Sequence, residues 1–77
     1  MAITVYFFGS LVDITGQPAK DFNGFADTDS LNRNIQNEYP ALVSAKYFMA
    51  VNRQMINTNR VLMDGDIVAL MPPFSGG

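Results

Sequence analysis

The sequence predicts an α+β fold: a roll in which one main helix packs on a mixed β-sheet. Two observations support this prediction. Segments rich in β-branched and aromatic residues lie on both sides of a single segment with helical periodicity, and no second segment is long enough for another main helix. Two strands, one helix and then further strands is the order expected when a helix covers one face of a sheet.

The N-terminal third predicts a strand, a helical turn and a weaker strand. Residues 3–8 form the first strand, whose alternation puts Phe7 on one face and Phe8 on the other. Because both faces carry aromatic residues, either the strand is central or one face meets a partner. A short helical turn then ends at Gly16, and residues 17–25 are the weaker strand candidate.

The middle of the chain predicts the main helix. Leu31, Ile35 and Tyr39 are spaced four residues apart, which makes one apolar stripe, and Pro40 ends the helix. Residues 42–43 are expected to join the same core. The candidate N-cap residues form a polar cluster: Thr28, Asp29 and Ser30.

The second half of the chain predicts short extended segments separated by turns. These segments are residues 47–51, 54–56, 60–63 and 67–71, of which 60–63 could equally be a turn. Asp64-Gly65-Asp66 is a turn signal, and Pro72-Pro73 ends the hydrogen bonding of the last strand. A ferredoxin-like fold would need a second long helix, so the β-grasp roll fits this order. We expect residues 1–71 to form the domain and 72–77 a flexible Gly-Gly tail.

Composition restricts the chemistry of this chain. It has 77 residues, a net charge of −2, and neither Cys nor His, which excludes thiol nucleophiles and ordinary zinc sites. Its five basic residues are scattered, whereas nucleic-acid binding usually needs a basic stripe. No apolar run approaches the ~20 residues of a membrane span, and the N-terminus has no signal-peptide pattern. We therefore expect a cytoplasmic protein that binds no metal and is not an enzyme by itself.

The C-terminal residues carry the main candidate chemistry. Gly76 and Gly77 have no Cβ, so they make a thin end that can enter a narrow channel in another protein. A terminal carboxylate is a poor acyl donor, but a nucleotide can activate it as an acyl adenylate. A sulfur nucleophile can then displace the nucleotide and leave a thiocarboxylate, which would carry sulfur without any cysteine.

A plain explanation also exists for these features. At an average usage of ~7%, two glycines end a random chain roughly 0.5% of the time, and many termini are simply disordered. The apolar strand and the double proline directly before the tail favour a function. Asp64 and Asp66 could be taken for a carboxylate pair, but their spacing around Gly65 favours a turn.

Two blocks of the sequence resemble the MoaD/ThiS family of ubiquitin-like sulfur carriers, which includes the small subunit of molybdopterin synthase. The first is Val5-Tyr6-Phe7-Phe8-Gly9, with the turn ending at Gly16. The second joins Met49-Ala50-Val51-Asn52-Arg53-Gln54, Met63-Asp64-Gly65-Asp66 and the C-terminal run Val68-Ala69-Leu70-Met71-Pro72-Pro73-Phe74-Ser75-Gly76-Gly77. The segment of the main helix resembles the family only in its pattern of residue types.

This resemblance implies a cycle with two protein partners. An adenylating enzyme would use ATP to activate the Gly77 carboxylate, a sulfur donor would convert it to a thiocarboxylate, and this chain itself would bind no cofactor. The large synthase subunit, in a heterotetramer with two small subunits at its ends, would then receive the tail. Sulfur would pass to a pyranopterin precursor and form the dithiolene of the molybdenum cofactor.

The resemblance also suggests which residues contact partners. Gly77 is the expected sulfur-bearing residue and Gly76 its slender neighbour. Partner contacts are expected from three apolar side chains and from the start of the tail: Phe8, Met55, Met71, Pro72, Pro73, Phe74 and Ser75. Strand alternation independently predicts that Phe8 and Met71 face away from the helix, although they could instead cover a second small cluster.

Three other functions stay open at the level of sequence. A sulfur carrier for thiazole synthesis would share the fold, the tail and the activation step. A ubiquitin-like modifier would join its activated tail to a lysine of a target protein. A plain interaction module would have an inert tail. The Pro-Pro pair and Phe8 favour the molybdopterin branch of the family.

Overall fold

The architecture follows the predicted order of strands and helices. The structure is a computed structural model that describes residues 2–73. Its elements are β1 (Ala2–Phe7), α1 (Leu11–Thr15), β2 (Ala19–Asn23), α2 (Thr28–Glu38), a 3-10 helix (Pro40–Val43), β3 (Phe48–Val51), β4 (Gln54–Ile56) and β5 (Ile67–Met71). The 3-10 helix was not predicted, and the extended segment at 60–63 is reduced to one bridge between Asp27 and Val61.

The five strands form one mixed sheet in the order β2-β1-β5-β3-β4. The two central strands, β1 and β5, run parallel, with Phe7 opposite Leu70. The other neighbouring strands are antiparallel. A parallel pair needs a long crossover, and here the crossover between the first and last strands contains α2. This topology confirms the predicted β-grasp roll.

One face of the sheet and helix α2 enclose the core. Leu31 and Ile35, the first two members of the predicted stripe, are completely buried, while Tyr39 is half-buried beside Phe7. The strand residues facing them are Ile3, Val5, Phe7, Val51, Val68 and Leu70. Burying each such side chain contributes about 1.5–3 kcal/mol, so the apolar stripe of α2 is what holds the helix on the sheet.

Two details around α2 differ from the prediction. The N-cap is Asp27, not a member of the predicted cluster, and its carboxylate accepts the backbone N–H of Ser30 at 2.9 Å. Hydrogen bonds from the Ser30 side chain and backbone hold the pKa of Asp27 below its usual value. In the 3-10 helix, Leu42 is buried as expected, but Val43 is 66% exposed. A tight turn points successive side chains in different directions, so only one of the two can reach the core.

The Asp64-Gly65-Asp66 segment is a turn, as predicted. The Asp64 carboxylate accepts the backbone N–H of Ala2 at 2.7 Å, and the Asp66 carboxylate accepts the N–H of Met63 at 2.8 Å. Asp66 also accepts the side-chain amide of Asn52 at 2.9 Å. Asp64 therefore ties this turn to the start of β1, and Asp66 fixes the backbone just before β5.

Candidate functional site

The face of the sheet opposite α2 exposes an unusual amount of apolar surface. Strand alternation sends every second side chain to this outer face. Its large exposed members include Tyr6, Phe8, Met55 and Ile67, which are 40%, 48%, 58% and 47% exposed. Contiguous apolar patches on small proteins commonly mark interaction sites.

A concavity of about 620 Å³, which we call the outer groove, lies in this face. Its floor is made by two small residues, because Ala50 of β3 lies directly opposite Ala69 of β5. Larger side chains surround them: Tyr6 is next to Ala69 on β1, and Met55 is next to Ala50 on β4. The groove therefore arises from small residues at the centre of the face and large ones at its rim.

The rim combines aromatic, flexible and charged side chains. The rings of Tyr6 and Phe8 lie side by side with centroids 6.5 Å apart. Met55 and Met71 complete the apolar rim, and thioether side chains adapt to differently shaped partners. Arg53 also lines the groove, at a turn where its φ is 70°. The site can thus hold an apolar surface and offers a cation at one side.

The predicted contact residues Phe8, Met55 and Met71 all line the outer groove. The predicted outward direction of Phe8 is confirmed, since Phe7 before it is 2% exposed and Phe8 is 48% exposed. Their role in binding a partner stays a prediction.

Five groove residues were not predicted: Tyr6, Ile67, Ala50, Ala69 and Arg53. The alternation that assigned Phe8 and Met71 to the outer face also assigns Tyr6, Ile67 and Ala69 to it, so that signal was available. Ala50 and Arg53 gave no comparable signal, because only the pairing of β3 with β4 and β5 brings them to this face.

The start of the C-terminal tail lies beside the groove. Met71 is the last residue of β5 and belongs to the rim, Pro72 after it is half-buried, and Pro73 is exposed. The remaining predicted residues, Phe74 to Gly77, lie outside the described residues. The last strand, β5, ends at Met71. The division into a domain of residues 1–71 and a flexible tail of residues 72–77 stays a prediction.

Residues 2–73 offer neither a group of metal ligands nor a membrane-spanning helix. Within that part of the chain, no three His, Cys, Asp or Glu side chains are grouped so that they could hold a metal ion. None of its helices is long and apolar enough to cross a membrane.

A mixed five-stranded sheet that wraps one main helix is the architecture of ubiquitin-like β-grasp proteins. The model of the ThiS family matches residues 5–77. The chain therefore belongs to the ThiS family.

One curated relative supports this assignment. The molybdopterin synthase sulfur carrier subunit of Escherichia coli (strain K12) is 30% identical over 80 residues, which cover 97% of this chain and 99% of that protein.

Solved structures show the same fold. A Helicobacter pylori 26695 complex of subunits 1 and 2 of molybdopterin-converting factor contains a chain that is 31% identical, with a TM-score of 0.74 and full coverage of both chains. A Pyrococcus furiosus protein has a TM-score of 0.88 at 19% identity, covering 95% of this chain and 98% of that one. Small archaeal modifier protein 1 of Methanosarcina acetivorans has a TM-score of 0.84 at 21% identity, covering 99% and 96%. The last two likenesses concern the fold alone.

Proposed function

We propose that this protein is the sulfur carrier subunit of a molybdopterin synthase. The observation that carries the proposal is the full-length similarity to a relative with that function, at 30% identity. The groove-lining Phe8, Met55 and Met71, together with the Pro72-Pro73 exit beside them, supply a docking face and a tail that leaves from its margin.

The reacting group in this proposal is the carboxylate of Gly77. A carboxylate oxygen attacks the α-phosphorus of ATP within a separate adenylating enzyme, which releases pyrophosphate and forms an acyl adenylate. Sulfur at the oxidation level of sulfide then attacks the acyl carbon, and AMP leaves. The product is a thiocarboxylate that donates its sulfur to the pyranopterin precursor. The carrier supplies the acyl group, and its partners supply ATP, the sulfur donor and the catalytic residues.

The outer groove is the proposed docking site for the large synthase subunit. The related Helicobacter pylori chain was solved as a complex of subunits 1 and 2. Burying the apolar rim of the groove would supply affinity at about 25 cal/mol per Å² before the costs of association are subtracted. We propose that the complete synthase is a heterotetramer with two copies of this carrier at its ends, and that the adenylating enzyme uses the same face at a different time.

The direct test is an intact-mass spectrum of the protein after incubation with ATP, a matching adenylating enzyme and a sulfur donor. The expected result is a mass gain equal to one sulfur replacing one oxygen, mapped to Gly77 by fragmentation. The matched control is a chain without Gly77, which keeps residues 2–73 unchanged. A protein that gains no sulfur from a competent enzyme, or a truncated chain that gains as much, would refute the proposal.

A second step, which starts from the charged carrier, distinguishes the proposed function from the alternatives. Adding the large subunit and a pyranopterin precursor to the charged carrier should form the dithiolene. Transfer of sulfur to a thiazole synthase, with none to the large subunit, would instead identify a carrier for thiazole synthesis. A covalent conjugate between Gly77 and a lysine of a second protein would identify a modifier.

A further inference from the structure

The turn between β1 and α1 touches the start of the C-terminal tail. Gly9 has a φ of +56°, and a Cβ built on it would lie 3.0 Å from Cγ and 3.5 Å from Cδ of Pro72. The first distance is shorter than ordinary van der Waals contact. Three other glycines also have positive φ, namely Gly16, Gly24 and Gly65, but a Cβ on any of them would meet nothing within 4 Å. Gly9 therefore differs from them by its contact with Pro72.

The backbone around Gly9 is fixed from both sides. Its carbonyl accepts the N–H of Val12 at 3.2 Å, and the N–H of Phe8 before it donates to the carbonyl of Leu70 at 3.0 Å. Phe7 and Leu70, the last paired residues of the parallel strands, are buried in the core. The turn at Gly9 cannot retreat without breaking these contacts.

Pro72 is held much less firmly. It follows the last residue of β5, and proline has no N–H to donate to a neighbouring strand. A side chain at position 9 would therefore be accommodated by movement of Pro72, which would change the direction in which the chain leaves β5.

We propose that Gly9 is a positioning residue for the reaction at Gly77: its missing side chain lets Pro72 rest against the β1–α1 turn and so aims the tail. This inference rests on the proposed function. The same turn carries Phe8 on the outer groove, so the docking face and the origin of the tail keep a fixed geometry relative to each other. A partner that binds the groove then finds Pro72, where the tail begins, at a fixed place relative to Phe8.

The test is a double-mutant cycle of Gly9→Asn with Pro72→Ala. Asn tolerates the left-handed backbone better than other side chains, so Gly9→Asn adds a Cβ with little backbone strain. Pro72→Ala removes the Cγ and Cδ atoms that this Cβ would meet. Gly16→Asn is the matched control, since Gly16 has a φ of +77° at the other end of α1 and open space around it.

The expected result concerns ATP-dependent activation by the adenylating enzyme. Gly9→Asn should lower kcat/KM by about tenfold or more, mainly through kcat, because small misplacements of reacting groups are costly. The kcat/KM of Gly16→Asn should stay within about twofold of the parent value. The double mutant Gly9→Asn/Pro72→Ala should likewise stay within about twofold of Pro72→Ala alone. Equal losses from Gly9→Asn in both backgrounds, or no loss in either, would overturn the inference.

A second measurement does not depend on activation. Nuclear Overhauser contacts between the Gly9 α-protons and the Pro72 ring should be present in the parent protein and changed in Gly9→Asn, while the amide shifts of β1 and β5 stay close to the parent's. Absence of these contacts in the parent overturns the inference even if Gly77 accepts sulfur. If these contacts are present but the protein never accepts sulfur, the proposed function is refuted, while the contact between Gly9 and Pro72 stands. If Gly9→Asn does not fold, the nuclear Overhauser contacts of the parent protein still test the inference.

Discussion

At the scale of single residues, Phe7 and Phe8 show how one step along a strand separates a core position from a surface position. Phe7 is 2% exposed and lies in the core against Tyr39, whereas Phe8 is 48% exposed and lines the outer groove. Two aromatic neighbours of identical chemistry thus lie in different environments because side chains of a strand alternate between its faces.

We predict that Phe8→Asp weakens binding to the large synthase subunit far more than it weakens folding. A substitution at an exposed position usually changes the free energy of unfolding by less than about 0.5 kcal/mol. A carboxylate buried in an apolar interface would lose its water without gaining a partner, which weakens binding. Isothermal titration calorimetry and urea denaturation measure the two effects.

Phe7→Ala is the matched control for this prediction. It removes a buried ring and should cost about 3–5 kcal/mol of stability. Comparable losses of stability in Phe8→Asp and Phe7→Ala would show that the assignment of the two faces is wrong.

At the scale of elements, carboxylates that accept backbone N–H groups fix two boundaries of the fold. Asp27 caps α2 through Ser30, and Asp66 holds Met63 at the turn before β5. The pKa of Asp66 is lowered mainly by the hydrogen bond from the N–H of Met63 and also by the one from the side-chain amide of Asn52. Hydrogen bonds from Ser30 lower the pKa of Asp27. Both boundaries therefore depend on ionised carboxylates.

We predict that the free energy of unfolding falls as the pH falls below about 4. Each of these carboxyls has a lower pKa in the folded chain than in the unfolded chain, so the unfolded chain takes up protons first. Their stabilisation is fully present above the unfolded pKa and is lost as the pH falls through the folded pKa. Urea denaturation between pH 7 and pH 2.5 measures this dependence.

Asp66→Asn tests the contribution of the turn. It removes one of the two carboxyls whose pKa is lowered in the folded chain, so the loss of stability between pH 5 and pH 2.5 should be smaller than in the parent protein. An unchanged pH dependence would mean that Asp66 does not contribute to it.

At the scale of the whole molecule, the core and the proposed reacting group occupy different parts of the chain. Every buried hydrophobic residue of the described structure lies between Ile3 and Leu70. The proposed chemistry takes place at Gly77, seven positions beyond Leu70.

We therefore predict that deletion of Gly77 abolishes sulfur acceptance and leaves the thermal midpoint unchanged. Differential scanning calorimetry and the mass measurement give the two results on one sample. A clear drop in the midpoint would show that Gly77 contributes to folding, and the loss of sulfur acceptance would then have a structural explanation.

The sequence by itself determined the main helix and most of the strands, because their signals are local. The helical spacing of Leu31, Ile35 and Tyr39, the alternation around Phe7 and the Asp64-Gly65-Asp66 turn each depend on residues a few positions apart. The order of these elements was enough to predict the β-grasp roll, and the pattern of the last residues was enough to suggest a tail chemistry.

Only the tertiary structure decided which distant residues meet. Ala50 and Ala69 form the floor of the outer groove because β3 pairs with β5 in that register, and Gly9 meets Pro72 because β1 runs parallel to β5. These contacts join residues that are far apart in the chain, so no local pattern of residue types could specify them.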